Sequence, residues 1–223
     1  MSKRVEKFLI DLALELDFFE QLGVDFLITG NGQKSSRDSQ YAHLREKILI
    51  CQKCHLSGSR NHAVPGEGSL NADLMFVGEA PGQDEDFQGR PFVGKAGQLL
   101  TKIINAMDFQ RSEVYITNVI KCRPPNNRNP NMEEIELCKD YLLEQIDIIK
   151  PRVIVTLGNV PTHFFIPLKD GITSLRGKFF TFDQVQVLPT FHPSYLIRSE
   201  HDRTRKKMVW EDMKKVMAFL GKK

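Results

Sequence analysis

Glu79, Asn118 and His192 are polar side chains that each stand at the end of an apolar run readable as a β-strand. A carboxylate at a strand exit can orient water or oppose a developing positive charge. The Asn118 amide offers one acceptor and two donors, enough to pair with a carbonyl and an imide N–H on a pyrimidine edge. Pro193 keeps His192 extended, so its ring can turn into a cleft. Glu79 opens a long loop, Gly78-Glu79-Ala80-Pro81-Gly82-Gln83-Asp84-Glu85-Asp86, which runs on through Gly89-Arg90-Pro91-Phe92-Val93-Gly94 to Gly97. Ala80 and Gly82 bring backbone N–H groups close to a ligand, and Phe92 offers a flat ring for stacking. No G-K-[ST] follows the glycines, which excludes a P-loop reading. The loop reads as floor and wall of a base-binding pocket.

A second group of residues suits a polyanion. Arg123-Pro124-Pro125-Asn126-Asn127-Arg128 is cationic and stiff, suited to a phosphate backbone. From Arg198 to Lys223 there are nine Lys/Arg against four Asp/Glu, a local excess of +5 within a chain of net charge +3. The four cysteines are Cys51 and Cys54, as C-x2-C, with Cys122 and Cys138. Four thiolates hold zinc or a [4Fe–4S] cluster, and both stay open at this point. The long gap between the pairs is unlike a compact zinc finger. A site joining residue 51 to residue 138 staples the N-terminal loop to the second strand and the helix after it, a structural role.

The elements that must position these groups follow from periodicity. Residues 1–28 read as a helix, with Val5, Phe8, Leu9, Leu12, Leu16 and Phe19 on one face. The polar run 29–40 reads as a flexible linker, so residues 1–40 form an appendage that either docks or recruits a repair or replication partner. The domain proper is expected at 41–223. A short helix over 41–50 leads to the cysteine pair, and strands are expected at 72–77, 114–120, 153–157 and 184–189, with an edge strand or hairpin at 178–182. Helices lie between them: one through Leu99, Ile103 and Met107, one starting at Asn131 with Glu134 as its capping partner, a short one at 160–165 and a last one at 201–220. Alternating strand and helix predicts an α/β fold, a three-layer α/β/α sandwich around a mostly parallel sheet of about four strands.

With 223 residues, 41% hydrophobic and 26% charged, the chain has the composition of an ordinary globular protein. No run approaches the ~18 apolar residues of a membrane span, and acids interrupt the first apolar stretch, so a cytoplasmic monomer without membrane contact is expected.

Taken in order, four motifs and the cysteine spacing resemble the uracil-DNA glycosylase superfamily, and within it the iron–sulfur family 4 enzymes. They are Gly78–Gly82, Gly89–Gly97, Thr117–Asn127 (TNVIKCRPPNN) and His192-Pro193-Ser194-Tyr195-Leu196. The resemblance covers about residues 44–218. It implies a uracil flipped from single- or double-stranded DNA, stacked on Phe92, read by Asn118, and approached by the Ala80 and Gly82 backbone. Glu85 crowds C5 against thymine, and His192, as neutral imidazole, donates to uracil O2. Glu79 and Asn127 position water or stabilise the sugar's positive charge. DNA contacts are implied for Arg123, Arg128, Ser194, Leu196 and Arg198, with Leu196 (or Tyr195) as the wedge that fills the vacated stack. The resemblance also makes the cofactor a [4Fe–4S] cluster on Cys51, Cys54, Cys122 and Cys138, without redox chemistry in the step. No lysine stands as a Schiff-base nucleophile, which implies a monofunctional enzyme with no lyase step. Some branches carry Asp where this chain has Glu79. The basic, His-containing insertion of a DNA-trapping branch is replaced here by Cys122-Arg123-Pro124-Pro125, which favours turnover. The competing readings are a non-catalytic iron–sulfur module that binds damaged DNA, and a zinc-stapled protein acting on free nucleotides or RNA.

Overall fold

The computed structural model describes residues 32–198 and 203–222. The chain divides into two compact units, Met1–Ser39 and Gln40–Lys223, and every element below except the first turns of α1 belongs to the second. The helix expected over 1–28 lies outside the described residues.

In chain order the elements are α1 (Gly32–Leu49), β1 (Glu67–Gly68), β2 (Leu74–Gly78), α2 (Gln83–Gln88), α3 (Lys95–Ala106), β3 (Tyr115–Asn118), α4 (Met132–Ile149), β4 (Val153–Leu157), α5 (Asn159–Phe165), α6 (Ile172–Leu175), β5 (Phe180–Phe182), β6 (Val185–Thr190), α7 (Pro193–Arg198) and α8 (Arg203–Leu220). Six strands form one sheet in the order β1-β3-β2-β4-β6-β5. The four central strands are parallel, and β1 and β5 close the edges antiparallel. The predicted four-strand count is therefore the parallel core; two-residue β1 is too short to leave a pattern.

β2, β3 and β4 are buried along their whole length, which is why β2 and β4 read as nearly continuous apolar runs, whereas β6 is half-buried at Val185 and Gln186. Their side chains alternate between two cores. Leu74, Phe76, Ile116, Val155 and Leu188 face α3 and α8, which contribute Leu100, Ile104, Val209, Met213 and Val216. Met75, Val77, Tyr115, Ile154 and Val187 face Leu142, Ile146 and Ile149 of α4 and Phe165 of α5. Each fully buried aliphatic or aromatic side chain contributes about 1.5–3 kcal/mol of transfer free energy. A third, smaller cluster packs Leu44 and Ile48 of α1 on Tyr141 and Ile148 of α4.

Three local expectations change. Residues 32–40, read as linker, are the first turns of α1. The acidic run Asp84-Glu85-Asp86, read as loop, is the first turn of α2, where carboxylates meet unpaired backbone N–H groups. The Pro-rich segment contains a 3-10 turn at Pro125–Asn127, with Asn126 and Asn127 both at positive φ (57° and 53°). By contrast α4 starts as its sequence dictates, with Asn131 Oδ1 accepting from Glu134 N (2.8 Å) and the Glu134 carboxylate accepting from Asn131 N (2.8 Å). No helix among the described residues is long and apolar enough to cross a membrane.

Candidate active site

Strand register brings the chemistry to one edge. Gly78 pairs with Asn118 and Leu157 with Thr190, so β2, β3, β4 and β6 end side by side and release their loops together. This is the carboxyl edge where open parallel sheets bind ligands. A cleft of about 710 Å³ lies there, lined from these loops by Glu79, Ala80, Gly82, Glu85, Phe92 and Asn118, by Asn127, Arg128, His192, Ser194 and Arg198, and by Gly158 and Asn159. Every catalytic and uracil-binding residue expected from the sequence therefore reaches one space.

Asn118 and Phe92 form the deep wall. Asn118 is 1% exposed, and its Oδ1 is buried without a hydrogen-bond partner among the described residues. Leaving a buried acceptor unpaired costs about 1–3 kcal/mol, so this oxygen is set for a ligand's donor. Gly78 lets the wall close: a Cβ there would stand 2.4 Å from Asn118 Oδ1 and 2.5 Å from Phe92 Cζ. Phe92 is 6% exposed and sits at φ 50°, a left-handed conformation costing about 1 kcal/mol or more in a residue with a Cβ. Glu85 holds the loop from one side, its carboxylate accepting from Gly82 N (3.1 Å), Val93 N (2.8 Å) and Gly94 N (2.9 Å). Across the cleft the Phe92 and His192 rings lie 5.8 Å apart, tilted by 36°.

His192 precedes α7, and the turn fixes its tautomer. Ser194 N donates to His192 Nδ1 (3.1 Å), and the Ser194 hydroxyl lies 2.7 Å from the same nitrogen. Nδ1 is thus an acceptor, which leaves the ring proton on Nε2. Burial pushes the imidazole down to about 4, with the Arg198 charge acting the same way. The ring is neutral at physiological pH. Ser194, expected to touch DNA, spends its polar atoms on His192. Burial raises the Glu79 carboxyl, which has no hydrogen-bond partner among the described residues.

The expected phosphate contacts fare differently. Arg198 is exposed on the cleft rim. Arg123 donates through Nε to Asn127 Oδ1 (2.7 Å), which orients that amide with its NH2 group free to donate. Arg128 is a correction: its guanidinium forks onto Glu134 (Nη1 to Oε2 2.9 Å, Nη2 to Oε1 2.5 Å), a carboxylate buried at the start of α4. The pair braces the Pro-rich turn, and Arg128, its side chain 40% exposed, still lines the cleft. Leu196 is also corrected. It is 2% exposed and packed in the core beneath α7, so it does not project as a wedge. Tyr195, the alternative, lines the cleft, with the Arg205 guanidinium 4.2 Å above its ring.

Cys51, Cys54, Cys122 and Cys138 line a second, small cavity together with Arg60, Lys121 and Tyr141. Arg60 donates to Cys122 Sγ (2.9 Å) and to the Leu49 and Cys51 carbonyls (3.0 and 2.9 Å). Burial pushes the Cys122 thiol up and the Cys138 thiol up to about 11. No group of three or more His, Cys, Asp or Glu that could hold a metal ion occurs among the described residues. Lys121 escaped the sequence reading. It is 1% exposed, and its ammonium donates to Thr117 Oγ1, the Asn118 carbonyl and Gln145 Oε1, each at 2.7 Å. Burial lowers it to about 7, against the raising effect of Cys138 and Cys122. No sequence signal separates a buried lysine from the many solvated ones. Gly158 and Asn159 were likewise missed, although a glycine ending the β4 run, here at φ 97°, was a signal of the same kind as Gly78.

The family model of the uracil DNA glycosylase superfamily matches residues 65–214. A Type-4 uracil-DNA glycosylase of Thermotoga maritima is 44% identical over 191 residues, covering 84% of this chain and 98% of that protein. Proteins of the same name from Saccharolobus solfataricus (43% over 189 residues, 81% and 86%) and Sulfurisphaera tokodaii (46% over 182 residues, 78% and 81%) are similar to the same extent. By its family match and by these identities, the chain belongs to the uracil DNA glycosylase superfamily.

Proposed function

We propose that the protein is a uracil-DNA glycosylase of DNA repair that takes a uracil flipped out of DNA and hydrolyses its N-glycosidic bond, leaving an abasic site. The observation that carries this is the unpaired, buried Asn118 Oδ1. It accepts from uracil N3–H, while the amide NH2 donates to O4. Cytosine exchanges donor and acceptor on that edge and is refused. Phe92 stacks on the ring. Glu85, immobilised by three backbone N–H groups, forms a fixed wall against C5 that a thymine methyl cannot pass. Ala80 and Gly82 let the backbone approach the base.

As the glycosidic bond breaks, negative charge gathers on uracil O2 and positive charge on the sugar. The His192 Nε2 proton donates to O2 from a site already arranged for it. Glu79 offsets the sugar's charge or orients the attacking water, and Asn127 supports it with the NH2 group left free by Arg123. The flipped strand runs along Arg198 and the basic residues of α8, whose attraction is sequence-independent.

Four thiols lining one cavity are a donor set for either a zinc ion or a [4Fe–4S] cluster, and the cysteine spacing, which resembles that of the iron–sulfur family 4 enzymes, supports the cluster. Cys51, Cys54, Cys122 and Cys138 would hold it, Arg60 and Lys121 would offset its negative charge, and it would act as a staple between α1, the β3 exit and α4. Protein purified without oxygen should show broad visible absorbance and iron and sulfide in equal amounts, lost in Cys138→Ser. A colourless, zinc-containing preparation would refute the assignment.

The activity is tested with single- and double-stranded oligonucleotides bearing one uracil. Strand breaks should appear after alkali and not before it, since no lyase step is expected. Intact uracil DNA after incubation with the cluster-loaded protein would overturn the reading.

A further inference from the structure

Arg111 stands outside the cleft, yet its guanidinium ties β1 and α3 to the residue that precedes Phe92. Nε donates to Glu67 Oε1 (2.5 Å) on β1, Nη1 to Thr101 Oγ1 (3.2 Å) on α3, and Nη2 to the Pro91 carbonyl. Pro91 is the residue before Phe92, so this last bond fixes the peptide on which the aromatic residue hangs. Thr101 Oγ1 in turn donates to the Gly97 carbonyl (3.0 Å). Gly97 lies directly against Phe92, for a Cβ there would fall 1.8 Å from the Phe92 carbonyl oxygen.

Glu67 anchors the arrangement. Its second oxygen accepts from Arg90 Nε (2.8 Å), and the two guanidiniums hold its carboxyl below the usual range despite burial. Arg111 is 19% exposed and Glu67 22%, whereas Arg90 is 61% exposed. The Glu67–Arg111 pair is the sheltered one, and the planar guanidinium sets the directions of its three bonds as a compact ammonium cannot.

A left-handed φ at a residue with a Cβ persists only where its surroundings over-determine it. Here Glu85 grips Val93 and Gly94, just after Phe92, and Arg111 grips Pro91, just before it. We propose that Arg111, anchored by Glu67, is a positioning residue for uracil recognition that acts by holding the Phe92 ring in its stacking orientation. The inference rests on the reading of Phe92 as the surface on which uracil stacks.

A double-mutant cycle separates the two claims. Arg111→Met, Phe92→Ala and the double variant would be assayed on a uracil-containing oligonucleotide and for inhibition by free uracil, with affinity for uracil-free DNA as the control. Arg111→Met should lower kcat/KM and weaken free-uracil inhibition by about tenfold, the share expected from the one of its three bonds that holds the Pro91 carbonyl. Affinity for uracil-free DNA should not change, and in the Phe92→Ala background the same substitution should add less than about twofold. Glu67→Gln, which leaves the other two Arg111 bonds in place, should show the same pattern at smaller amplitude, so a poorly folding Arg111→Met does not leave the matter open. Additive losses, or lowered thermal stability with unchanged uracil inhibition, would overturn the inference. Full activity in Phe92→Ala would instead remove the stacking reading beneath it.

Discussion

Replacing His192 by alanine should lower kcat on uracil DNA by about 10²–10³-fold while leaving DNA affinity nearly unchanged, the range seen when one donor to a developing oxyanion is removed. Uracil is a poor leaving group unless charge on O2 is met at the moment the bond breaks. A neutral donor suffices only if it is already aimed, and here Ser194 occupies Nδ1 so that Nε2 presents the proton. His192→Gln, which returns an N–H donor without the same reach, should recover part of the loss. Normal activity in His192→Ala would remove the residue from the mechanism.

The same burial makes a pH prediction with a definite sign. His192 is held down to about 4 from 6.5, so it remains neutral until the solution is strongly acidic. Glu79 is raised above 4.5 by burial and takes its proton first on acidification. The acid limb of kcat/KM should therefore report Glu79, lie above 4.5, and move down towards about 4 in Glu79→Gln. An acid limb unmoved by that substitution would exclude Glu79 as the working carboxylate. For stability, the unfolded chain protonates this histidine near 6.5 whereas the folded one does so near 4. The unfolded state thus binds more protons between those values, and stability falls as pH drops through that window. His192→Gln should flatten that part of the curve.

What the sequence disclosed and what it withheld divide along physical lines. Strand ends were readable because a parallel strand buried on both faces is an unbroken apolar run, and the residue that breaks it marks the exit: Glu79 after Gly78, His192 after Thr190 and Phe191. The α4 start was readable because a capping box is a local event, spanning Asn131 to Glu134. Side chains that act through tertiary partners were not readable. Arg128 looked like a free cation until Glu134, six residues on, was folded back against it. Leu196 looked like a wedge because its motif is one, yet α7 turns Pro193 and Leu196 to the core and Arg198 to solvent. Arg111 and Glu67 carry no motif, and Lys121 stands inside one that assigns it no role. Their meaning lies in what they touch across 20 or more residues of chain, as in the 44-residue separation of Arg111 from Glu67.

Asn118→Asp should reverse the reading of the base edge. In the folded chain β3 and Lys121 fix the Asn118 backbone, and the side chain is enclosed, 1% exposed and packed against Gly78. The side chain can therefore not swing away to spare a mismatch. A carboxylate in place of the amide keeps the acceptor for N3–H but sets a second acceptor against O4, two lone pairs without a proton between them. Uracil excision should fall by at least about a hundredfold, since a site that loses its complementary donor rejects a ligand strongly. Cytosine presents an amino donor at the same position, which the new acceptor can bind, so the ratio of uracil to cytosine excision should narrow by more than uracil excision alone declines. Oligonucleotides carrying one uracil or one cytosine in the same context measure both rates. Should Asn118→Asp excise uracil at the parent rate, the amide is not the group that reads the base. A loss of uracil excision equal to that of Asn118→Ala, with no cytosine cleavage, would place Asn118 in the wall of the pocket but not in its discrimination.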